Sequence, residues 1–380
     1  MNKQRRRLVQ ASLLGGAVAA GGLLPACAEQ QEASAPKPLS PKRQPAMRIL
    51  VLGGTGYIGP HMVREALLRG HTVELFNRGR TNDELFPDLK TYVGDRNNGL
   101  APLADGKWDV IIDNSGYVPR HVADSAKLLS SRASHYIFIS SISAYADFGS
   151  PLDEDSPLAS IADETVEEVT NETYGPLKAL CEKRAAQEFG ADRLAVLRPT
   201  YICGPGDRTD RYTYWPVRTM RGGEMLWPGT ANDDIQIIDV RDLANFVIDV
   251  AEKRISGIYN TVTPAGSFTM GQLQQDCLAV TASDMTPVWV DYEFLKASGV
   301  TETGELPIWV APQSAEAYVA KVSGERAAAQ GLVTRPPRET ARDTISWWAT
   351  LPAERTATLR AGLKPEREAE LLASWKSRQS

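Results

Sequence analysis

Tyr174 and Lys178 stand four residues apart in Thr173-Tyr174-Gly175-Pro176-Leu177-Lys178, at the start of a stretch with helical character. Side chains at i and i+4 share one helical face, so the phenol and the ammonium are expected to be neighbours. A buried ammonium beside a phenol favours the phenolate and draws the tyrosine pKa down from about 10 towards values useful for proton transfer. Thr173 is placed to cap this helix, with Pro176 inside the first turn, where its missing N–H does no harm. Tyr292 and Lys296 repeat the spacing, but they lie far beyond the serine-bearing strand described below and read as an ordinary helix face.

A proton-transfer pair needs a frame, and the strongest framing signal is Arg48–Gly59, RILVLGGTGYIG. Ile49–Leu52 is a short apolar run, as in a parallel strand covered on both faces. Glycines follow at positions 53, 54, 56 and 59, and then a helical pattern with Pro60 in its first turn and Gly70 at its exit. Glycine serves where φ is positive or where backbone must approach a diphosphate, and the dipole of the following helix favours the negative charge. Gly53, Gly54, Thr55, Gly56, Tyr57, Ile58 and Gly59 are therefore expected to cradle a dinucleotide. The next strand, His71–Phe76, delivers Asn77, Arg78 and Arg80 to the same edge. An acidic residue there suits the ribose hydroxyl of NAD, whereas arginine suits the 2′-phosphate of NADP, so position 77 and its arginines lean towards NADP. Asp95, with Arg96 after it, ends a short strand where a carboxylate could meet the adenine. Asn114, Ser115 and Gly116 end another that should pass beside the cofactor. His135–Tyr145 then runs a strand into a serine cluster. Such strands, alternating with helical stretches, predict an α/β fold: a doubly wound parallel sheet whose site lies at the strands' carboxyl ends.

The 380 residues carry a net charge of −5 with no basic stripe, which points to small-molecule partners and away from nucleic acid. Cys27, Cys181, Cys203 and Cys277 form no CxxC pair, so neither a metal site nor a disulfide scaffold is expected. Arg5-Arg6-Arg7, followed by an uncharged Gly/Ala-rich run to Leu24, looks like a twin-arginine export signal. Leu24-Pro25-Ala26-Cys27 resembles a lipobox, which makes residues 1–27 an address, by lipidation of Cys27 or by cleavage without lipid. Residues 28–46 read as a flexible tether. The expected location is the periplasm or a lipid tether to the membrane.

GGTGYIG, the serines before Tyr145, YGPLK and Leu197-Arg198-Pro199-Thr200-Tyr201 through Gly204-Pro205-Gly206-Asp207 together resemble the extended short-chain dehydrogenase/reductase family of epimerases, dehydratases and related reductases. Ile235–Leu243 and Gly257–Thr261 resemble its later segments. The resemblance implies a Rossmann-type NAD(P)-binding domain over 47–205. A smaller C-terminal substrate lobe over 206–345 would be interleaved with returning strands at 235–240 and 257–261, and a charged helical tail would follow at 346–380. It also implies that Tyr174 is the acid/base, that Lys178 holds the nicotinamide ribose, that Ser141 bonds the reacting oxygen, and that Tyr201 lies by the cofactor where many members carry asparagine. Ile142 and Ser143 stand where dehydratases of the family carry acids, which disfavours dehydration. The RPTY and VRDL segments are closer to a branch that includes chloroplast stem-loop-binding proteins. Tyr212, Tyr214, Trp215, Trp227, Trp289 and Trp309 are candidates for stacking on a sugar, with packing of the lobe's own core as the alternative for each.

The expected activity is that of an NAD(P)-dependent epimerase on a saccharide, with a retained cofactor and a homodimer as the candidate assembly. The alternatives are a simple dehydrogenase or reductase, and a non-catalytic glycan- or RNA-binding protein on the same fold.

Overall fold

In the strand that opens the glycine stretch, alternate side chains enter different cores. Ile49 and Val51 join one buried cluster, while Leu50 and Leu52 join another on the opposite face. This is what period-two side chains do when a parallel sheet is covered on both sides. The same division recurs in Val110 and Ile112 against Ile111, and in Ile137 and Ile139 against Tyr136 and Phe138. The computed structural model describes residues 45–300 and 304–379; the basic leader, Cys27 and the tether as far as residue 44 lie outside the described residues.

The first half of the described chain runs β1 (Arg48–Leu52), α1 (Gly59–Leu68), β2 (Thr72–Asn77), β3 (Thr91–Val93), β4 (Trp108–Asp113), α2 (Pro119–Leu129), β5 (Ala133–Ile139) and α3 (Asn171–Phe189). It continues with β6 (Leu194–Pro199), β7 (Tyr201–Cys203), α4 (Tyr214–Met220), β8 (Glu224–Pro228), β9 (Ile237–Asp239), α5 (Val240–Lys253) and β10 (Gly257–Thr261). Seven strands make one parallel sheet in the order β10-β6-β5-β4-β1-β2-β3. The order reverses between β1 and β4, and the crevice outside the carboxyl ends of these strands is where doubly wound sheets take ligands.

One strand expectation needs correcting. The segment 235–240 does not return to the main sheet: Ile237–Asp239 pairs in parallel with Tyr201–Cys203 as a separate two-stranded ribbon, and only Gly257–Thr261 joins the central sheet, beside β6. Pro199, which has no N–H for a ladder, closes β6 before β7 begins. Asp239 ends β9 by accepting a hydrogen bond from the Arg241 N–H, as the N-cap of α5.

The remaining elements are α6 (Met270–Thr281), β11 (Thr286–Val290), α7 (Tyr292–Ala297), α8 (Glu325–Ala329), α9 (Pro337–Trp348), α10 (Ala353–Thr356) and α11 (Pro365–Gln379). Of these, α6, β11, α7, α9 and α11 share a core with α4, β8 and β9 in which the predicted sugar-stacking aromatics are consumed, while Ala327 of α8 joins the core of the main sheet. Tyr212, Tyr214, Trp215, Trp227 and Trp309 are buried, with ring centroids 4.8 Å apart for Trp215 and Trp227; Trp289 is partly buried against the same cluster. The final residues belong to this core as well. Leu371, Leu372 and Trp375 are buried in it, and Glu368 accepts from Arg218 Nε at 2.7 Å and from the Leu226 N–H at 3.0 Å. Tyr292 and Lys296 sit on the short α7 with the ammonium 5.5 Å from its own neighbour's ring, as expected of an ordinary helix face.

Candidate active site

The glycine turn is held by three asparagines, Asn77 at the end of β2 and two from the segments that follow β2 and β4. Gly54 N–H donates to Asn77 Oδ1 at 3.1 Å, Asn82 Nδ2 donates to the Thr55 carbonyl at 3.1 Å, and Asn114 Nδ2 donates to the Gly53 carbonyl at 3.2 Å. Gly53 has φ of +89°, and a Cβ on Gly59 would lie 2.4 Å from the Gly53 carbonyl oxygen, so α1 closes on the turn only with glycine there. Gly54 likewise backs onto Leu75, and Gly116 onto Phe138. Gly56 is different: a Cβ there would meet nothing within 4 Å. It faces a cleft of about 550 Å³, and the turn's other walls there are Gly53, Thr55, Tyr57 and Ile58. Among the described residues the amides of Thr55, Gly56, Tyr57 and Ile58 donate to no protein acceptor, and the N-cap Ile58 brings no capping side chain to α1. Free amides, a helix N-terminus and open space over Gly56 fit a dinucleotide's diphosphate.

Asn77, Arg78, Arg80, Asp95, Asn114 and Ser115 also border this cleft. Arg78 and Arg80 are exposed, and among the described residues their guanidinium groups have no protein partner. Arg96 reaches the same wall with its charge already used: it is buried and pairs with the fully buried Asp113 at 2.5 and 2.8 Å, adding a 2.6 Å hydrogen bond to Ser125 Oγ. Burial pushes the Asp113 carboxyl up, but the Arg96 charge and hydrogen bonds outweigh it and hold the group below the usual carboxylate range. Arg96 thus fixes the ends of the strands, and Asp95 carries the polar group that faces the cleft.

Tyr117 leads from this cleft to the candidate chemistry. Its ring is 48% exposed, lies 6.4 Å from the Tyr174 ring, and has Lys178 Nζ 5.1 Å from its centroid. Lys178 is buried and donates to the carbonyls of Gly116 at 2.9 Å and Ile139 at 2.7 Å. Burial lowers its pKa to about 8. Ser141 Oγ accepts from the Ser143 N–H at 3.1 Å and donates to Ser143 Oγ at 3.1 Å, in the turn that Gly175 of the Tyr174 helix approaches. Burial raises the Tyr174 pKa, and the influences that pull it back are the Ser141 hydroxyl and the Arg211 guanidinium. The expected lowering by Lys178 is not met: burial dominates at Tyr174, and the ammonium is held by two backbone carbonyls. Tyr201 packs on the lobe core, with Arg211 Cζ 5.2 Å from its ring, and is not among the residues that line the cofactor cleft.

The helix that carries Tyr174 starts earlier than expected. Thr170, not Thr173, is the N-cap, and the two threonines form a reciprocal capping box. Pro176 therefore lies inside the helix, where it removes one intrahelical bond. Gly175 explains the close approach of this turn to the serines: a Cβ there would lie 2.2 Å from the Ser143 carbonyl oxygen. The sequence reading missed Asn82, Tyr117, Arg208, Thr209 and Arg211. The αL conformation of Asn82, at φ of 45°, suits asparagine and is the only one of these with a local signal.

A family model described as NAD dependent epimerase/dehydratase family matches residues 49–261. The chain belongs to that family. Among its relatives, the Epimerase family protein SDR39U1 of Bos taurus is 24% identical over 238 residues, covering 59% of this chain and 76% of the relative. The chloroplast stem-loop binding protein of 41 kDa b of Arabidopsis thaliana is 25% identical over 231 residues, covering 56% of this chain and 58% of the relative. The fold of the family is shared with the Bordetella bronchiseptica enzyme WbmG, solved in complex with NAD and UDP, at a TM-score of 0.60 and 16% identity over 86% of this chain and all of that one. NAD(P) is thus the cofactor class of the family to which the cleft belongs.

Proposed function

We propose that the protein is an NAD(P)-dependent epimerase acting on a hydroxyl-bearing carbon of a saccharide, with Tyr174 as the acid/base. The observation that carries this reading is that Tyr117, on the wall of the dinucleotide cleft, has the Tyr174 ring at 6.4 Å and Lys178 Nζ at 5.1 Å from its own ring, while the turn that Ser141 caps backs onto Gly175. The nicotinamide, when bound, supplies a hydride acceptor that can return the hydride. Tyr174 Oη, as the phenolate, takes the proton of the substrate hydroxyl as the carbinol carbon is oxidised, and the phenol so formed gives it back when the opposite face of the ketone is reduced. Ser141 Oγ holds the reacting oxygen. Lys178, with two of its three N–H groups fixed on backbone, has one left for the nicotinamide ribose. Arg78 and Arg80 on the cleft wall favour NADP. The exported location inferred from the leader fits a cycle without net redox, because a folded protein can leave the cytoplasm with its cofactor inside.

The test is to incubate the purified protein with free hexoses and with UDP-glucose, and to follow both carbon stereochemistry by NMR and the nicotinamide absorbance band. Inversion at one carbinol centre with no net change in the band is expected. A band change matching substrate consumption would instead mark a dehydrogenase.

Two further outcomes arise from the site's geometry. Gly175→Ala is expected to lower turnover by about a hundredfold, the cost of displacing a reacting group by about an ångström, with dinucleotide affinity nearly unchanged; steady-state kinetics and binding titration check it. Lys178 loses its charge as pH rises through about 8, so dinucleotide affinity should fall across that pH with a one-proton slope and be flat in Lys178→Met. The linkage to stability has the opposite sign. Between about 8 and the ordinary 10.5 the unfolded chain holds the proton and the folded chain does not, so this residue's contribution to stability rises with pH.

A further inference from the structure

The cleft has a wall that comes from outside the nucleotide-binding layers. Arg208 and Thr209, in the segment after Gly204-Pro205-Gly206, border it together with the glycine turn. That segment is fastened to the turn at one end: Tyr57 Oη donates to the Gly204 carbonyl at 3.5 Å, and His61 Nε2 lies 2.9 Å from the Pro205 carbonyl. A Cβ on Gly206 would sit 3.3 Å from the Tyr57 ring.

At its other end the segment is clasped by the chain's last quarter, beyond the residues that match the family model. Asp210 is fully buried in the left-handed region, with φ of 60°. Its carboxylate accepts from the Arg355 guanidinium and, at 2.9 Å, from the Arg360 N–H. The Arg360 side chain also donates to the Arg208 carbonyl at 2.8 Å. Asp207, likewise fully buried, takes Thr209 N–H at 2.8 Å and Thr209 Oγ1 at 2.7 Å. The backbone of Arg208 is therefore fixed from both sides. Its guanidinium, by contrast, is exposed and has no protein partner among the described residues. A cation on a rigid backbone, on the same cleft as free amides, is preorganised for an anion.

We propose that Arg208, held by the clasp of Asp210 with Arg355 and Arg360, is a ligand for the diphosphate of the bound dinucleotide and slows its release. This rests on reading the cleft as the dinucleotide site. The residues that hold the arginine in place lie in the C-terminal segment, so cofactor retention is a property that this segment adds to the family fold.

The experiment compares the full-length protein with Arg208→Ala and Arg360→Ala. Affinities for NAD, NADP, ADP-ribose and UDP are measured by titration, and the release rate of bound NADPH by chase with excess NADP. Arg208→Ala is expected to weaken NAD, NADP and ADP-ribose alike by about tenfold, the worth of one partly exposed charge-assisted hydrogen bond, and to speed release by a similar factor while thermal unfolding of the dinucleotide-free protein is unchanged. Arg360→Ala should shift release in the same direction by a smaller factor. Unchanged release in Arg208→Ala would overturn the proposal. So would a loss confined to NADP, which would place the arginine at the 2′-phosphate, or a loss confined to UDP, which would place it on a substrate diphosphate. Wild-type protein that binds no dinucleotide at all would instead sink the reading of the cleft itself.

Discussion

Tyr174→Phe is expected to lower turnover by about two to four orders of magnitude, the usual worth of a positioned acid/base, while the protein keeps its dinucleotide. The substitution removes one oxygen and leaves the ring, so the packing of α3 against the serine turn is preserved. What is lost is the atom that takes and returns the substrate proton. Burial raises the phenol's pKa and Ser141 and Arg211 bring it partly back, so at neutral pH the residue is a phenol able to donate. It accepts the substrate proton only as the phenolate, which Ser141 and Arg211 favour, and Ser141→Ala should therefore weaken the same step without removing it. Steady-state rates, read beside the dinucleotide content of each variant, separate a lost proton transfer from a lost cofactor. Unchanged turnover in Tyr174→Phe would favour a binding protein on this fold.

Glu182→Ala is expected to destabilise the protein by about 3–5 kcal/mol, as when one partner of a buried ion pair is removed. Glu182 lies on α3 one turn beyond Lys178 and accepts from Arg198 Nε at 3.0 Å and Nη2 at 2.7 Å, with the arginine 1% exposed. Ser140, next to Ser141, donates its hydroxyl to the same carboxylate. One carboxylate thus ties the helix of Tyr174 and Lys178 to the strand end of Ser141 and to β6. Burial works against the Arg198 charge, and the hydrogen bonds and charge of Glu182 more than offset that, so removal of the carboxylate leaves an unpaired cation inside the fold. Urea unfolding measures the loss. Replacing both partners, Glu182→Met with Arg198→Met, should recover most of the stability, yet not the full turnover, since the serine and the helix would no longer share an anchor.

The sheet and the glycine turn were legible because both depend on local patterns. Ile49–Leu52 alternates between two cores, and the glycines sit where a side chain would strike backbone or where the cleft must stay open. The Tyr174–Lys178 spacing was legible for the same reason. Its electrostatics were not: only the fold reveals that Gly116 and Ile139 carbonyls claim the ammonium. Arg96 was read as a cofactor residue because a strand-end arginine looks the same in sequence whether its partner is a ligand or a buried aspartate 17 positions away. The aromatics of the substrate lobe posed a similar ambiguity, decided by long-range packing. Thr170 and Thr173 both suit a cap, and their reciprocal bonds choose between them. Arg208 could not be read at all, since its place depends on Arg355 and Arg360 far along the chain.

The central claim is a dinucleotide retained beside an intact proton-transfer site. The most direct test is mass spectrometry of small molecules released by denaturing the natively purified protein. Stoichiometric NADP or NAD is the predicted result. Protein that releases no dinucleotide and takes none up on titration would contradict the account.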